Sequence, residues 1–261
     1  MLDALSPQRR RLVLGVGGLA LLLVVALVIT LVVRASGSSQ PVPQDQPGPV
    51  LLVPGYGGRV ASLDPLAAAL RTQGRTVVVV APVGDGTGDL QAQAQDLGAA
   101  AERARADSGA PSVDVIGYSA GGVVARVWVR EEGGASVARR VLTLGSPQHG
   151  NSQAALGQEL AGGCSTACEQ LVPDSDLLRS LNAGDETPAG PEWATVRSTS
   201  DQVVTPTDSA ALDGALNLVV QDLCPGAATP HGDLPGDPVV LAALTTVLGV
   251  GAPRTPTGVT C

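Results

Sequence analysis

The 261-residue chain contains no lysine and no phenylalanine, and only two histidines, two tyrosines, two tryptophans and one methionine. Each shortage removes a class of chemistry. Without lysine there is no Schiff base, no pyridoxal-phosphate anchor and no phosphate-binding loop ending in Gly-Lys. Aromatic residues make up 2% of the chain, so stacking platforms for single-stranded nucleic acid are missing. The net charge of −8 leaves no basic excess to neutralise phosphates, and no nucleic-acid partner is expected. Charged residues are 15% of the total, too few for a disordered acidic tail. Acid–base chemistry by imidazole is limited to His149 and His231. What remains, 44% hydrophobic with 33 Gly and 20 Pro, suits one medium-sized globular domain.

Residues 12–33 form an uncharged stretch of 22 in which Thr30 is the one strongly polar side chain. As a helix rising about 1.5 Å per residue, it would cover the ~30 Å hydrocarbon core of a bilayer. Arg9, Arg10 and Arg11 precede the stretch and Arg34 follows it. That bias predicts the N-terminus in the cytoplasm and the rest of the chain outside, with the membrane as a partner through this helix. Segment 1–34 is therefore expected to be a single-pass anchor. The competing reading is a signal peptide cleaved near Ala35, although the apolar run exceeds the usual ~7–15 residues of a signal core. Residues 35–49 are rich in Ser, Gln and Pro and read as a tether. The folded domain is expected over 50–261. Four Arg and two acidic residues precede it, leaving the domain a net charge of −10, which suits neutral ligands better than anionic surfaces.

Within that domain, short apolar runs alternate with helical patterns. Strands are predicted at 50–53, 76–80, 113–116, 141–144, 194–197 and 218–220, and helices at 63–73, 89–107, 120–132 and 237–248. Continuous β-branched strands separated by helices imply a mostly parallel, doubly wound α/β sheet of about six strands. The polar segment 146–192 breaks the rhythm and reads as an excursion over one end of the sheet.

Gly117-Tyr118-Ser119-Ala120-Gly121-Gly122 lies between a predicted strand and a predicted helix. This is G-x-S-x-G in the setting its chemistry requires: a sharp turn exposes the serine hydroxyl, and glycines let backbone approach backbone. Serine is a poor nucleophile alone and needs a base. In this arrangement the acid and then the histidine follow the serine along the chain, which favours His231 as base and leaves His149 as a hydrogen-bonded loop residue. The acid must orient the imidazole and stabilise its cation. Asp201 follows the strand at 194–197 by a short turn and is the leading candidate, with Asp208 and Asp222 as competitors. Two backbone amides must face the developing oxyanion. Ala120 and Tyr56, the latter in the glycine-rich loop after the first strand, are the candidates.

Five stretches, Val53-Pro54-Gly55-Tyr56-Gly57-Gly58, the Ser119 motif, Thr143-Leu144-Gly145-Ser146-Pro147-Gln148-His149-Gly150, Ser200-Asp201-Gln202-Val203-Val204 and His231-Gly232-Asp233-Leu234, resemble the small bacterial lipase/esterase branch of the α/β-hydrolases, of class 2 lipase type. The resemblance spans about residues 50–248. It implies an α/β-hydrolase fold, Ser119 as nucleophile, Asp201 as acid, His231 as base and Tyr56 with Ala120 as oxyanion donors. Many relatives have His at the position of Pro54, a departure that touches loop packing and not the triad. The implied activity is carboxyl-ester hydrolysis of an ester or lipid substrate, through an acyl-serine and without a cofactor. Acyl transfer to an alcohol by the same triad is the alternative, and a non-catalytic hydrolase-fold binding protein a third reading.

The four cysteines allow three pairings; Cys164–Cys168 within the excursion and Cys224–Cys261 at the C-terminus are favoured, on the oxidising side of a membrane. Their spacing with the two histidines fits no zinc pattern.

Overall fold

Six short runs dominated by β-branched and aliphatic residues pair into one wholly parallel sheet: β1 (Val50–Val53), β2 (Val77–Val79), β3 (Val113–Tyr118), β4 (Ala138–Leu144), β5 (Glu192–Arg197) and β6 (Leu216–Val219). The strand order is β2-β1-β3-β4-β5-β6. The computed structural model describes Gly18, Val24, Val25, 42–152 and 164–261. The chain divides into two units, Met1–Gln40 and Pro41–Cys261, and the sheet belongs to the second.

Alternation along the strands sends side chains to two separate cores. Leu51 and Val53 of β1, with Val113 and Val115 of β3, pack beneath α2 (Leu90–Ser108) and α3 (Ala120–Glu131). Val50 and Leu52, with Ile116 and Tyr118, pack on the other face beneath α1 (Asp64–Thr72) and the C-terminal helix Pro238–Leu248. The central strands are buried on both faces, which is why they read as unbroken apolar runs.

The helices start and stop where their end residues allow. The Asp89 side chain accepts from the Gln91 amide at 3.0 Å, satisfying one orphan N–H of α2, and Gly109 at φ 69° closes it. Leu90, Ala94, Leu97, Ala101 and Ala104 then form the buried stripe. The last helix opens with Pro238 after Asp237, whose carboxylate accepts from the Val239 amide at 2.8 Å.

Strand β4 begins three residues earlier than its apolar run suggests, with Arg139 and Arg140 fully buried. The charge of Arg139 is met by Asp114 of β3 at 2.6 Å and by the carbonyls of Leu248 (2.6 Å), Gln44 (3.0 Å) and Gly249 (3.0 Å). Arg140 reaches the side chain of Gln44 and the carbonyl of Gly251. Residues 42–49 therefore pack on the amino end of the sheet, with Val42 buried, so that the described fold extends upstream of residue 50.

Among the described residues of the excursion after β4 are the short helices α4 (Thr166–Gln170) and α5 (Asp176–Asn182). Another, α6 (Val220–Leu223), follows β6, and the last helix becomes α7. Disulfides join Cys164 to Cys168 and Cys224 to Cys261.

The expected membrane anchor needs correction. Among the described residues, no helix is long and apolar enough to cross a membrane. Crossing takes about 20 consecutive apolar helical residues. The 19-residue α2 is studded with Gln, Asp, Glu and Arg, and the apolar α7 is only 11 residues long. The single-pass topology, the membrane partnership and the outward-facing anchored domain lose their support with it. Apart from Gly18, Val24 and Val25, the stretch 12–33 lies outside the described residues, as does the alternative cleavage near Ala35.

Candidate active site

The site forms at the carboxyl ends of β3, β4 and β5. Ser119 sits between β3 and α3 with φ 55°, a left-handed backbone that a side chain adopts only at a cost. The turn is held by the Ser119 amide donating to Leu144 O at 2.8 Å and the Gly122 amide donating to Ser119 O at 3.0 Å. Gly121 is obligatory: a Cβ there would lie 2.4 Å from Val53 O, so the first strand could not pass this close to the helix. The serine hydroxyl is thereby presented above the positive end of α3.

Ser119, His231 and Asp201 form a continuous chain. His231 Nε2 lies 3.0 Å from Ser119 Oγ, and Nδ1 lies 2.6 Å from Asp201 Oδ2. Asp201 is buried, and its second oxygen accepts from the Val203 and Val204 amides at 2.8 and 2.9 Å. Burial pushes the Asp201 carboxyl up, but the hydrogen bond and charge of His231 and these two amides outweigh it and hold it below the ordinary 3.8. Gly145, at φ 53°, floors the pair: a Cβ there would meet Leu234, Asp201 Oδ2 at 3.1 Å and His231 Nδ1 at 3.2 Å.

Tyr118, which the sequence did not single out, supports the histidine from beneath. Its hydroxyl donates to His231 O at 3.1 Å and its ring lies 5.1 Å from the imidazole, tilted by 31°. Burial, then the charges of Asp201 and Asp233, push the phenol up to about 12, so it remains a donor at any physiological pH. The only sequence signal for it is its place beside Ser119.

The competing candidates lie elsewhere. Asp208 pairs with Arg197 at 3.1 Å, and Asp222 is exposed on α6. His149 sits on the loop after β4, with Nε2 2.7 Å from Glu186 Oε1 and Nδ1 3.3 Å from Ser209 O. Burial raises the Glu186 carboxyl, but the Asp213 amide and His149 bring it below its usual value. Neither the Tyr56 nor the Ala120 amide donates to another backbone group in the described loops and turns. The Tyr56 hydroxyl meets Ser165 Oγ at 2.9 Å, tying the loop after β1 to the disulfide-bearing excursion. Among the described residues, no group of three His, Cys, Asp or Glu side chains is placed to hold a metal ion.

Two clefts meet at Ser119, sharing Tyr56 and Val203. The one that His231 lines, with Gly55 and Arg59, has a volume of about 400 Å³. The other, about 270 Å³, is walled by Pro147, Leu171 and Val204. Serine, imidazole and carboxylate in this order, beside an apolar cleft, can deliver an oxygen nucleophile to a carbonyl carbon and return the proton to the departing atom.

Known proteins resemble this chain in sequence family and in fold. Residues 49–182, just over half of the chain, match the family of palmitoyl protein thioesterases. The chain belongs to that family. The matched region holds Tyr56, Ser119 and Ala120 and stops before Asp201 and His231. None of the curated proteins matches in sequence. Among solved structures, Aspergillus fumigatus lipase B superposes with a TM-score of 0.70 at 21% identity, over 84% of this chain and 56% of the fungal one. Bacillus licheniformis lipase BlEst2 in its mature form gives 0.65 at 17% identity, over 81% of this chain and 95% of that one. The same lipase in its propeptide form gives 0.66 at 18%, over 84% and 53%. The chain thus spans little more than half the length of the fungal lipase and of the propeptide form. At these identities the likeness is one of fold: this family member has the α/β-hydrolase fold of lipases and esterases, with a serine-hydrolase arrangement of Ser119, His231 and Asp201.

Proposed function

We propose that the protein is an acyl-serine enzyme that cleaves carboxylic esters or thioesters, with Ser119 as nucleophile, His231 as base and acid, and Asp201 orienting the imidazole. The observation that carries this reading is the unbroken hydrogen-bond chain from Ser119 through His231 to Asp201 at the mouth of an apolar cleft. Ser119 Oγ attacks the acyl carbon as its proton passes to His231 Nε2. The oxyanion is held by the Tyr56 and Ala120 amides. His231 then protonates the departing oxygen or sulfur, and a second nucleophile, deprotonated by the same imidazole, releases the acyl group. Family membership widens the donor from the oxygen esters of the class 2 lipase resemblance to thioesters.

The second reading is acyl transfer, in which an alcohol or thiol replaces water in that last step. It is favoured by the room on the His231 side of Ser119, where a cleft of about 400 Å³ can hold an acceptor. One experiment tests both readings. The purified protein is labelled with a fluorophosphonate, then given p-nitrophenyl esters and S-acyl thioesters of increasing chain length, with and without an added alcohol. Labelling of Ser119 and release of free acid support hydrolysis, whereas an acyl ester of the added alcohol supports transfer. No labelling and no turnover would leave the protein a hydrolase-fold binder.

A further inference from the structure

Resting on the acyl-serine reading, the two clefts differ in a way that assigns them. His231 lines one and not the other. The imidazole must touch the departing atom to protonate it, so the leaving group exits, and any acceptor enters, through the arm that His231 lines. The acyl chain then takes the arm walled by Pro147, Leu171 and Val204.

The leaving-group arm carries an anomaly of charge. Its lining contains no carboxylate, and besides His231 its one ionisable cation is Arg59. This occurs in a domain whose acids outnumber its arginines by ten after residue 49. The exposed guanidinium of Arg59 makes no ion pair or hydrogen bond among the described residues; Arg71, Arg103 and Arg254 are likewise exposed and unpaired, but none of those three lines either cleft at Ser119. The backbone beneath it is fixed, since Ser62 Oγ donates to Arg59 O at 2.7 Å and the Ser62 amide to the same oxygen at 3.2 Å. Arg59 is thus held at the rim of the arm with its charge unspent. We propose that Arg59 is a specificity residue that reads an anionic group, a carboxylate or a phosphate, on the leaving group or acceptor. An arginine suits either, because its planar fork matches both geometries.

The test uses the full chain and three thioesters with one butanoyl group: the S-butanoyl esters of 3-mercaptopropanoate, of its neutral carboxamide and of 2-mercaptoethyl phosphate. The wild-type protein should prefer the anionic members over the carboxamide by roughly two- to fivefold in kcat/KM, the range an exposed ion pair supports, with the difference in KM. The larger of the two anionic preferences tells carboxylate from phosphate. Arg59→Gln should bring the ratio to about one, Arg59→Lys should keep only part of it, since the charge stays and the fork is lost, and Arg59→Glu should invert it. Salt at about 0.5 M should shrink it. A wild-type ratio at or below one, or a ratio that Arg59→Gln does not change, overturns the assignment while leaving the acyl-serine reading intact. Failure to turn over any thioester, with no fluorophosphonate labelling of Ser119, overturns both.

Discussion

Buried carboxylates anchor both ends of the sheet, and they are used in opposite ways. At the amino end Asp114 Oδ2 takes Arg75 and Arg139, each at 2.6 Å, and the arginines go on to bind backbone carbonyls. Every branch of that network ends inside the protein. At the carboxyl end Asp201 takes one imidazole, and the chain continues to a half-buried serine hydroxyl that opens on two clefts. A network closed on itself can only hold the fold together, whereas one with a free end can pass a proton to something that binds there. A buried ionisable group is therefore no sign of catalysis until its chain of partners is followed to its last atom.

The comparison can be broken most severely at its open end. Ser119→Ala should lower turnover about ten-thousandfold or more while the thermal unfolding midpoint moves little, because the hydroxyl supports no packing. Steady-state rates and a melting curve on the same sample check both halves.

Asp201→Asn should approach the same loss, about ten-thousandfold in kcat, by leaving the imidazole wrongly oriented. It also carries a signature in pH. The folded Asp201 carboxyl lies below its ordinary 3.8, so the unfolded chain binds more protons as pH falls through this range. The stabilisation is therefore complete above the ordinary value and is lost as pH drops toward the depressed one. Denaturant midpoints below pH ~4 should fall less steeply in Asp201→Asn than in the wild type.

At the closed end the expected effect falls on stability. Asp114→Ala leaves the buried guanidinium of Arg139 without its carboxylate and should cost about 3–5 kcal/mol. Whatever remains folded should react with a fluorophosphonate at the wild-type rate per folded molecule, which separates the two ends of the sheet. Smallest of all, His149→Gln should leave turnover at the wild-type level and cost about 0.2–1 kcal/mol, since its pair with Glu186 is partly exposed. A large loss of activity would place His149 in the reaction.

The same contrast explains what could be read from the chain alone. Strands β1 and β3 show in the sequence because burial on both faces removes polar residues, and the Ser119 turn shows because its glycines and serine are consecutive. Arg139 and Arg140 did not show as part of β4, since what makes them tolerable there is Asp114, 25 residues earlier, and carbonyls more than a hundred residues later. Residues 42–49 read as a tether because their polar composition gives no hint that their carbonyls will serve those arginines. The acid of the site was open among three aspartates in sequence; only folded neighbours distinguish Asp201, beside His231, from Asp208, paired with Arg197.

The guanidinium of Arg139 binds Gln44 and Gly249 at once, each at 3.0 Å. One side chain thereby pins two stretches 205 residues apart, Gln44 ahead of the first strand and Gly249 past the last helix, at the amino end of the sheet. It works as a clasp: the segment ahead of the sheet and the end of the last helix are latched through the same guanidinium, so a local opening that frees one should free the other in the same event, and amide exchange of the two stretches should rise together.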